Sequence, residues 1–293
     1  MMNILSMFDG MSCGRIALDR AGISVNKYYA SEIDKYAIKV AQANYPDTVQ
    51  LGDCTSPAFM NWVNAMADKG GIDMLIGGSP CQGFSSAGRH GHFDDPRSKL
   101  FWTYVKVLRK LQPRYFFLEN VKMKQSSMDI ISDALDVEPV FINSDKVSAH
   151  NRQRYYWTNI PLVSTPAPVN EQVLGDVLED DVPEKYSPKP ETLAKWDGGT
   201  QLNPSYNSQG NRIHPLDQKA ATVCAGSHGY NYGYINQNGR IRRLTPLEFE
   251  RLQTVPDNYT EGVSDTQRYK MLGNGWTVDI IAHLFKNLKL AYA

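Results

Sequence analysis

The segment Gly78-Ser79-Pro80-Cys81-Gln82-Gly83 places a thiol directly after a short apolar run, at the head of a stretch containing Gly83, Gly88 and Gly91. Most lone cysteines are small buried packing residues. A thiol where a strand ends and a glycine-rich loop begins is placed to act as a nucleophile instead. A free thiol with a pKa of about 8.5 is only a few per cent thiolate at neutral pH, so the site must supply positive potential or a partner that takes the proton during attack. Arg152 and Arg154 are the candidates: their strand spacing puts both guanidinium groups on one face, able to hold a phosphate or a base carbonyl, or to form an ordinary solvated face. Glu119, directly after Phe116-Phe117-Leu118, lies beside apolar surface. Desolvation there favours a protonated carboxyl that donates a hydrogen bond; a salt-bridged acid at a strand end is the structural alternative.

A second set of residues suits a nucleotide-like ligand. Phe8-Asp9-Gly10-Met11-Ser12-Cys13-Gly14 joins a strand to a helix with small residues that allow close approach, which is also what a tight turn requires. Glu32 closes the next strand about 20 residues on, where an acid accepts from ribose hydroxyls. Asp53, in Leu51-Gly52-Asp53-Cys54, can accept from an adenine amino group or serve as a turn aspartate. The turn lacks the full GxGxxG pattern and carries Asp9, which would repel pyrophosphate. An adenosine cofactor without phosphates fits better.

These residues sit at the ends of alternating elements. Strands are predicted at Asn3 to Phe8, Lys27 to Ala30, Met74-Leu75-Ile76 and Tyr115 to Leu118. Between them run helices bearing Ile16, Ala17, Leu18 and Ala21 with Gly22 as C-cap, then Ala37, Val40 and Ala41 capped by Asp34, then Leu100 to Leu108 ending before Pro113. Such alternation implies an α/β fold with a mainly parallel sheet whose ligands lie beyond the carboxyl ends of the strands. From Leu162 to Arg240, proline and glycine are frequent and helical periodicity is weak, which marks a small loop-rich domain with short β-like pieces such as Ala221 to Cys224. Thr245-Pro246-Leu247-Glu248 then has the form of a capping box, and a last helix carries Val278, Ile281, Ala282 and Phe285.

The 293 residues, 42% hydrophobic and 21% charged, with no apolar run of membrane-spanning length, describe a soluble enzyme-like chain. The N-terminus has no signal-peptide pattern, so a cytoplasmic location, bacterial or in a phage-infected cell, is expected. The four cysteines, Cys13, Cys54, Cys81 and Cys224, are too scattered for a zinc site or a disulfide framework, and no metal is expected. Zero net charge excludes a nonspecific nucleic-acid coat while permitting a local basic groove.

In order, Phe8-Asp9-Gly10, Glu32, Asp53, Pro80-Cys81-Gln82, Glu119-Asn120-Val121, Arg152-Gln153-Arg154, Arg243 to Glu248 with Arg251-Leu252-Gln253, and Gly273-Asn274 resemble the DNA cytosine-5 methyltransferase family across nearly the whole chain. Phe8-Asp9-Gly10 and Leu272 to Trp276 look especially similar to the branch containing the animal de novo methyltransferases. Ser12 and His150 depart from the commoner glycine and glutamine and look tolerated in that branch. The resemblance implies a Rossmann-like class I methyltransferase domain, 1–161 with 241–293, and a target-recognition domain, 162–240. It implies S-adenosyl-L-methionine as cofactor, with S-adenosyl-L-homocysteine as product, held by Phe8, Asp9, Gly10, Glu32, Ile33, Asp53, Cys54, Pro80, Leu100, Asn274 and Trp276.

The implied reaction has Cys81 add to cytosine C6 while Glu119 hydrogen-bonds N3, Arg154 binds O2 and Arg152 supports the site. The substrate is a cytosine flipped out of double-stranded DNA, with Gln82, Ser85, Arg97, Asn120, Arg240 and Arg242 on the DNA side. Asn120 would also orient the Pro80 turn, and Arg243 joins Arg240 and Arg242 as a backbone contact. No membrane partner is expected, and a monomer is favoured. Two alternatives stand beside this reading. One is a tRNA cytosine-5 methyltransferase, whose Cys-Phe-Thr tripeptide this chain lacks; the other is a catalytically silent DNA-binding or regulatory relative, which would typically have lost the nucleophile or cofactor motif.

Overall fold

The structure is a computed structural model that describes residues 1–79, 99–168, 171–205, 208–226 and 230–291. By compactness the chain forms two units: Met1–Ile142 with Gln153–Thr165 and Ile281–Ala293, and Asn143–Arg152 with Pro166–Ile280. These bounds differ from the expected 162 and 240. Residues 143–152 and 241–280 both group with the loop-rich segment, because the capped helices after Thr245 build their core with it.

The first unit is built on a sheet of β1 (Met2–Met7), β2 (Val25–Ser31), β3 (Val49–Gln50), β4 (Met74–Gly78), β5 (Tyr115–Val121), β6 (Val140–Asn143) and β7 (Gln153–Thr158), in the order β3-β2-β1-β4-β5-β7-β6. The pairs from β3 through β5 are parallel, and β7 runs antiparallel to β5. The order reverses direction between β1 and β4, and ligands of open α/β sheets bind beyond the carboxyl ends at that point. The expected α/β fold is therefore present, with β1 shifted by one residue from its predicted run and β2, β4 and β5 two or three residues longer than theirs.

The helices of this unit are α1 (Cys13–Ala21), α2 (Lys35–Asn44), α3 (Pro57–Asp68), α4 (Lys99–Leu111) and α5 (Gln125–Leu135). Gly22 ends α1 at φ 66°, giving its N–H to Leu18 and Asp19, and Asp34 caps α2 by accepting from the Tyr36 N–H. Ser56 and Pro57 start α3, which has no counterpart among the helices expected from sequence. Alternation along the strands sorts the helices onto two faces. Tyr29 meets Trp62 of α3, while Tyr28 meets Arg15 of α1. Likewise Phe116 and Leu118 join the core of α3, α4 and α5, while the Phe117 ring lies 5.1 Å from Phe285. Tyr104 of α4 packs on Gly77, where a Cβ would stand a tight 3.1 Å from both the Tyr104 ring and the Met7 carbonyl.

The second unit holds α6 (Pro190–Leu193), β8 (Ile213–His214), β9 (Tyr234–Gln237), β10 (Arg240–Arg242), α7 (Pro246–Leu252) and α8 (Asp265–Asn274), with the strands in the order β10-β9-β8. The last helix, α9 (Val278–Lys286), begins in this unit and ends in the first. Thr245 and Glu248 form the expected capping box at α7. Tyr230, Phe249 and Tyr269 pack as its aromatic centre, Tyr269 meeting the other two edge-to-face. Ala221 to Cys224 is not a strand. The segment is fastened instead by Thr222 Oγ1 donating to the Asn151 carbonyl at 2.6 Å and by Arg152 donating to the Val223 carbonyl at 2.7 Å. A Cβ at Gly273 would fall 2.2 Å from the Ala225 nitrogen, so α8 approaches this segment only because residue 273 is glycine.

Candidate active site

In the first unit the carboxyl ends of β1, β2, β4 and β5 gather the polar residues. The turn after β1 holds Phe8, Gly10 and Ser12 at φ 59°, 58° and 65°, a left-handed run that turns the chain sharply into α1. The Gly10 N–H donates to Glu32 Oε2 at 2.7 Å, while Glu32 Oε1 accepts from the Ile33 and Asp34 N–H groups at 2.7 and 2.8 Å. One carboxylate thus ties the β1 turn to the end of β2. Ile33 beside it is 76% exposed, an apolar surface at the rim of a polar cluster.

Asp9 has a different place. Its carboxylate is buried and accepts from Ser12 Oγ at 2.5 Å and Tyr28 Oη at 2.7 Å. Burial pushes its pKa up to about 6 against the hydrogen bonds from Ser12, Ser6 and Tyr28, and nearby Glu32 adds to the rise. The Asp9 side chain therefore braces the turn from beneath. Tyr28 was missed in the sequence; its signal is the parallel register that sets β2 beside β1.

Asp53 is exposed, accepting through Oδ1 from the Thr55 N–H at 2.7 Å and Oγ1 at 2.8 Å, and these bonds hold its pKa below the ordinary value. It is both a turn aspartate and an ionised acceptor at the surface. The Cys54 side chain points into the core, where burial pushes its thiol up to about 11, so any ligand contact by Cys54 would be through its backbone. Leu100 is half-buried in the first turn of α4.

Glu119 and Arg154 meet across the β5–β7 pair. Val121 stands opposite Arg154, so Glu119 is its diagonal neighbour, within reach of a long side chain. Arg154 Nε lies 2.7 Å from Glu119 Oε1, an ion pair whose angle departs from a linear hydrogen bond, and both side chains are largely buried. Glu119 is the ion-paired strand-end acid that the sequence left as an alternative. Its other neighbour strand brings Gly78 directly opposite. Asn120, also buried, donates from Nδ2 to the Ser79 carbonyl at 3.3 Å and Ser79 Oγ at 3.2 Å, fixing the residue before Pro80. That is the positioning of the turn before Pro80 expected of Asn120. Pro80, Cys81, Gln82, Ser85 and Arg97 lie outside the described residues.

Three arginines differ from expectation. Arg152 does not share a face with Arg154: β7 starts at Gln153, and the buried Arg152 guanidinium lies in the second unit. There it donates to the carbonyls of Val223, Gly273 and Gly275 at 2.7, 3.0 and 2.8 Å, the last two at the end of α8, where the helix dipole favours a cation. Arg242 is fully buried in a pair with Glu248, Nη2 to Oε1 at 2.6 Å and Nη1 to Oε2 at 2.9 Å, and has no surface to offer DNA. Arg240 is held by Ser187 Oγ and the carbonyls of Val182 and Pro183, and pairs with Glu184. Asn274 is exposed at the end of α8, and Trp276 is half-buried after it.

Among the described residues no group of His, Cys, Asp and Glu could hold a metal ion, and no helix is long and apolar enough to cross a membrane.

A family profile described as C-5 cytosine-specific DNA methylase matches residues 2–133 and 129–290. The chain is 30% identical to the Type II methyltransferase M.HpaII of Haemophilus parainfluenzae, over 94% of this chain and 86% of that protein. It is 30% identical to the Type II methyltransferase M.NlaX of Neisseria lactamica, over 99% and 97%. In fold it resembles the methyltransferase EhMeth of Entamoeba histolytica, with a TM-score of 0.79 at 19% identity over 100% of this chain and 99% of that one. A mutant DNMT2 of Spodoptera frugiperda gives 0.74 at 20% identity over 99% and 100%. The chain belongs to the C-5 cytosine-specific DNA methylase family.

Proposed function

We propose that the protein methylates carbon 5 of a cytosine flipped out of double-stranded DNA, using S-adenosylmethionine and releasing S-adenosylhomocysteine. The observation that carries this reading is the Glu119–Arg154 pair at the end of β5, beside the strand that leads into Pro80-Cys81. A carboxyl and a guanidinium fixed side by side match the N3 and O2 edge of cytosine.

The residues after β1 and β2 suit the cofactor. The Gly10 N–H is committed to Glu32, so the turn presents no vacant amide nest for a phosphate. Glu32 and Asp53 instead give the rim negative character, which favours a phosphate-free ligand carrying a positive charge. The exposed Ile33 offers a flat apolar surface for an adenine ring. When bound, S-adenosylmethionine supplies a methyl group on a positively charged sulfur.

Cytosine C5 is a poor nucleophile, and the chain's task is to change that. Cys81 as thiolate adds to C6 while Glu119, protonated once the base is in place, hydrogen-bonds N3 and passes its proton there, which leaves an enamine with electron density at C5. Arg154 hydrogen-bonds O2 and holds Glu119 in register. After C5 is alkylated, its proton passes to solvent, Cys81 leaves as thiolate and N3 returns its proton to Glu119, which restores the ring. A stacked base cannot meet these groups, so the cytosine leaves the duplex. Asn120 holds Ser79, the last described residue before Pro80-Cys81 in the chain.

The test is methyl transfer from labelled S-adenosylmethionine to duplex DNA and to tRNA, with bisulfite sequencing of a plasmid from an expressing strain. The expected result is label in DNA only, at C5, abolished by Cys81→Ala. Label in tRNA alone, or unchanged transfer by Cys81→Ala, overturns the proposal.

A further inference from the structure

Arg240, Arg242 and Arg243 form the most basic short run of the second unit, and the structure separates them by what each guanidinium touches. Arg242 is enclosed with Glu248, and Arg240 is held by carbonyls and Glu184. Arg243 is exposed and makes no ion pair among the described residues. Its Cζ lies 5.3 Å from the Tyr230 ring centroid and 5.7 Å from that of Tyr234.

That seat is rigid. Tyr230 Oη donates to the Gly233 carbonyl at 2.6 Å and accepts from the Leu244 N–H at 3.1 Å, while its ring packs at a tilt on Phe249 and edge-to-face on Tyr269. The backbone N–H of Arg243 is itself anchored on the Tyr186 carbonyl at 2.8 Å. An arginine stacked on aromatic rings keeps its planar N–H edge directed outward, and the rotamer freedom lost on binding an anion has already been given up. A flexible surface lysine would have neither property.

We propose that Arg243 is a phosphate-binding residue for the DNA backbone. This rests on the reading of the chain as a DNA methyltransferase. Arg243 positions the duplex and carries no base information, so its removal weakens substrate binding and leaves the chemical step alone. A single phosphate contact contributes about 0.9 to the slope of log affinity against log salt.

Wild type, Arg243→Gln and Arg243→Lys are compared on one duplex by binding across a salt series and by steady-state methyl transfer. Wild-type methylation of DNA is established first, so its absence sinks the functional reading and leaves the Arg243 question separate. Expected for Arg243→Gln is binding weaker by about tenfold, a salt slope smaller by about 0.9, a raised KM for DNA and an unchanged kcat. Arg243→Lys keeps the slope with weaker binding. A purely structural role lowers the melting temperature and leaves the slope unchanged, which overturns the proposal. Because Arg243→Gln loses its aromatic seating, the DNA is altered independently by placing neutral methylphosphonates one position at a time. One position should weaken wild-type binding by about tenfold and leave Arg243→Gln unaffected; no such position also overturns the proposal.

Discussion

Asp9→Asn should stabilise the protein above neutral pH and do little to it in mild acid. Asp9 is buried beneath the β1 turn, and its pKa is raised from 3.8 to about 6. The native carboxyl therefore holds a proton that the unfolded chain has released at intermediate pH. Folding stability then falls as pH rises from about 4 to about 6 and is level above that. At about 1.4 kcal/mol per pH unit, keeping Asp9 charged in the native state costs about 3 kcal/mol at pH 8.

Asparagine removes that cost and keeps an acceptor for Tyr28, while the Ser12 hydroxyl turns to accept from the new amide. Because one donor arrangement is disturbed, the net gain should be about 1–2 kcal/mol at pH 8. Denaturant titrations of both proteins from pH 4.5 to 8 give the difference directly, and titrations elsewhere in the chain cancel in it. The difference should grow with pH up to about 6 and then plateau. A difference independent of pH, or an asparagine variant that loses stability as pH rises, refutes the account of Asp9 as a buried charge under strain.

Two further substitutions test the ion pairs. Arg154→Gln leaves Glu119 without its cation and should reduce methyl transfer by about 10²–10³-fold in single-turnover assays, with a folded protein by circular dichroism; near-normal transfer would remove Arg154 from the reaction. Arg242→Met should destabilise by about 3–5 kcal/mol, since Glu248 is left buried and uncompensated. Adding Glu248→Leu should recover only part of that, because the Thr245 and Glu179 N–H groups lose their acceptor, and denaturant midpoints of the single and double variants measure both effects.

The first unit was legible in the sequence because its signals are local. A strand of apolar residues, a turn, a helix closed by Gly22 or opened by Asp34 each announce themselves within a few positions, and their alternation implies the parallel sheet. Glu32 and Glu119 were legible for the same reason, as acids at strand ends. What was not legible depended on residues far apart. The hydrogen bond that Tyr28 gives to Asp9 depends on the parallel register of β2 beside β1, which no local pattern announces. Arg152 and Arg154 read as a pair until the strand is seen to begin between them, and the carbonyls that hold Arg152 lie 71 to 123 positions away.

The adjacent Arg242 and Arg243 make the physical reason plain. In a strand, neighbouring side chains point to opposite faces, so the end of β10 sends one arginine inward and leaves the next outside. Composition assigns both to a basic patch, yet the inward one is stable only because Glu248 reaches back from the capping box of α7 to meet it. Sequence order hides this because Glu248 already has a local explanation as a capping residue. A carboxylate with two tasks, capping a helix and neutralising a buried guanidinium, looks like one with a single task until the chain is folded. Removing Arg242 therefore probes how the second unit is built, whereas removing Arg243 tests the phosphate contact proposed for it.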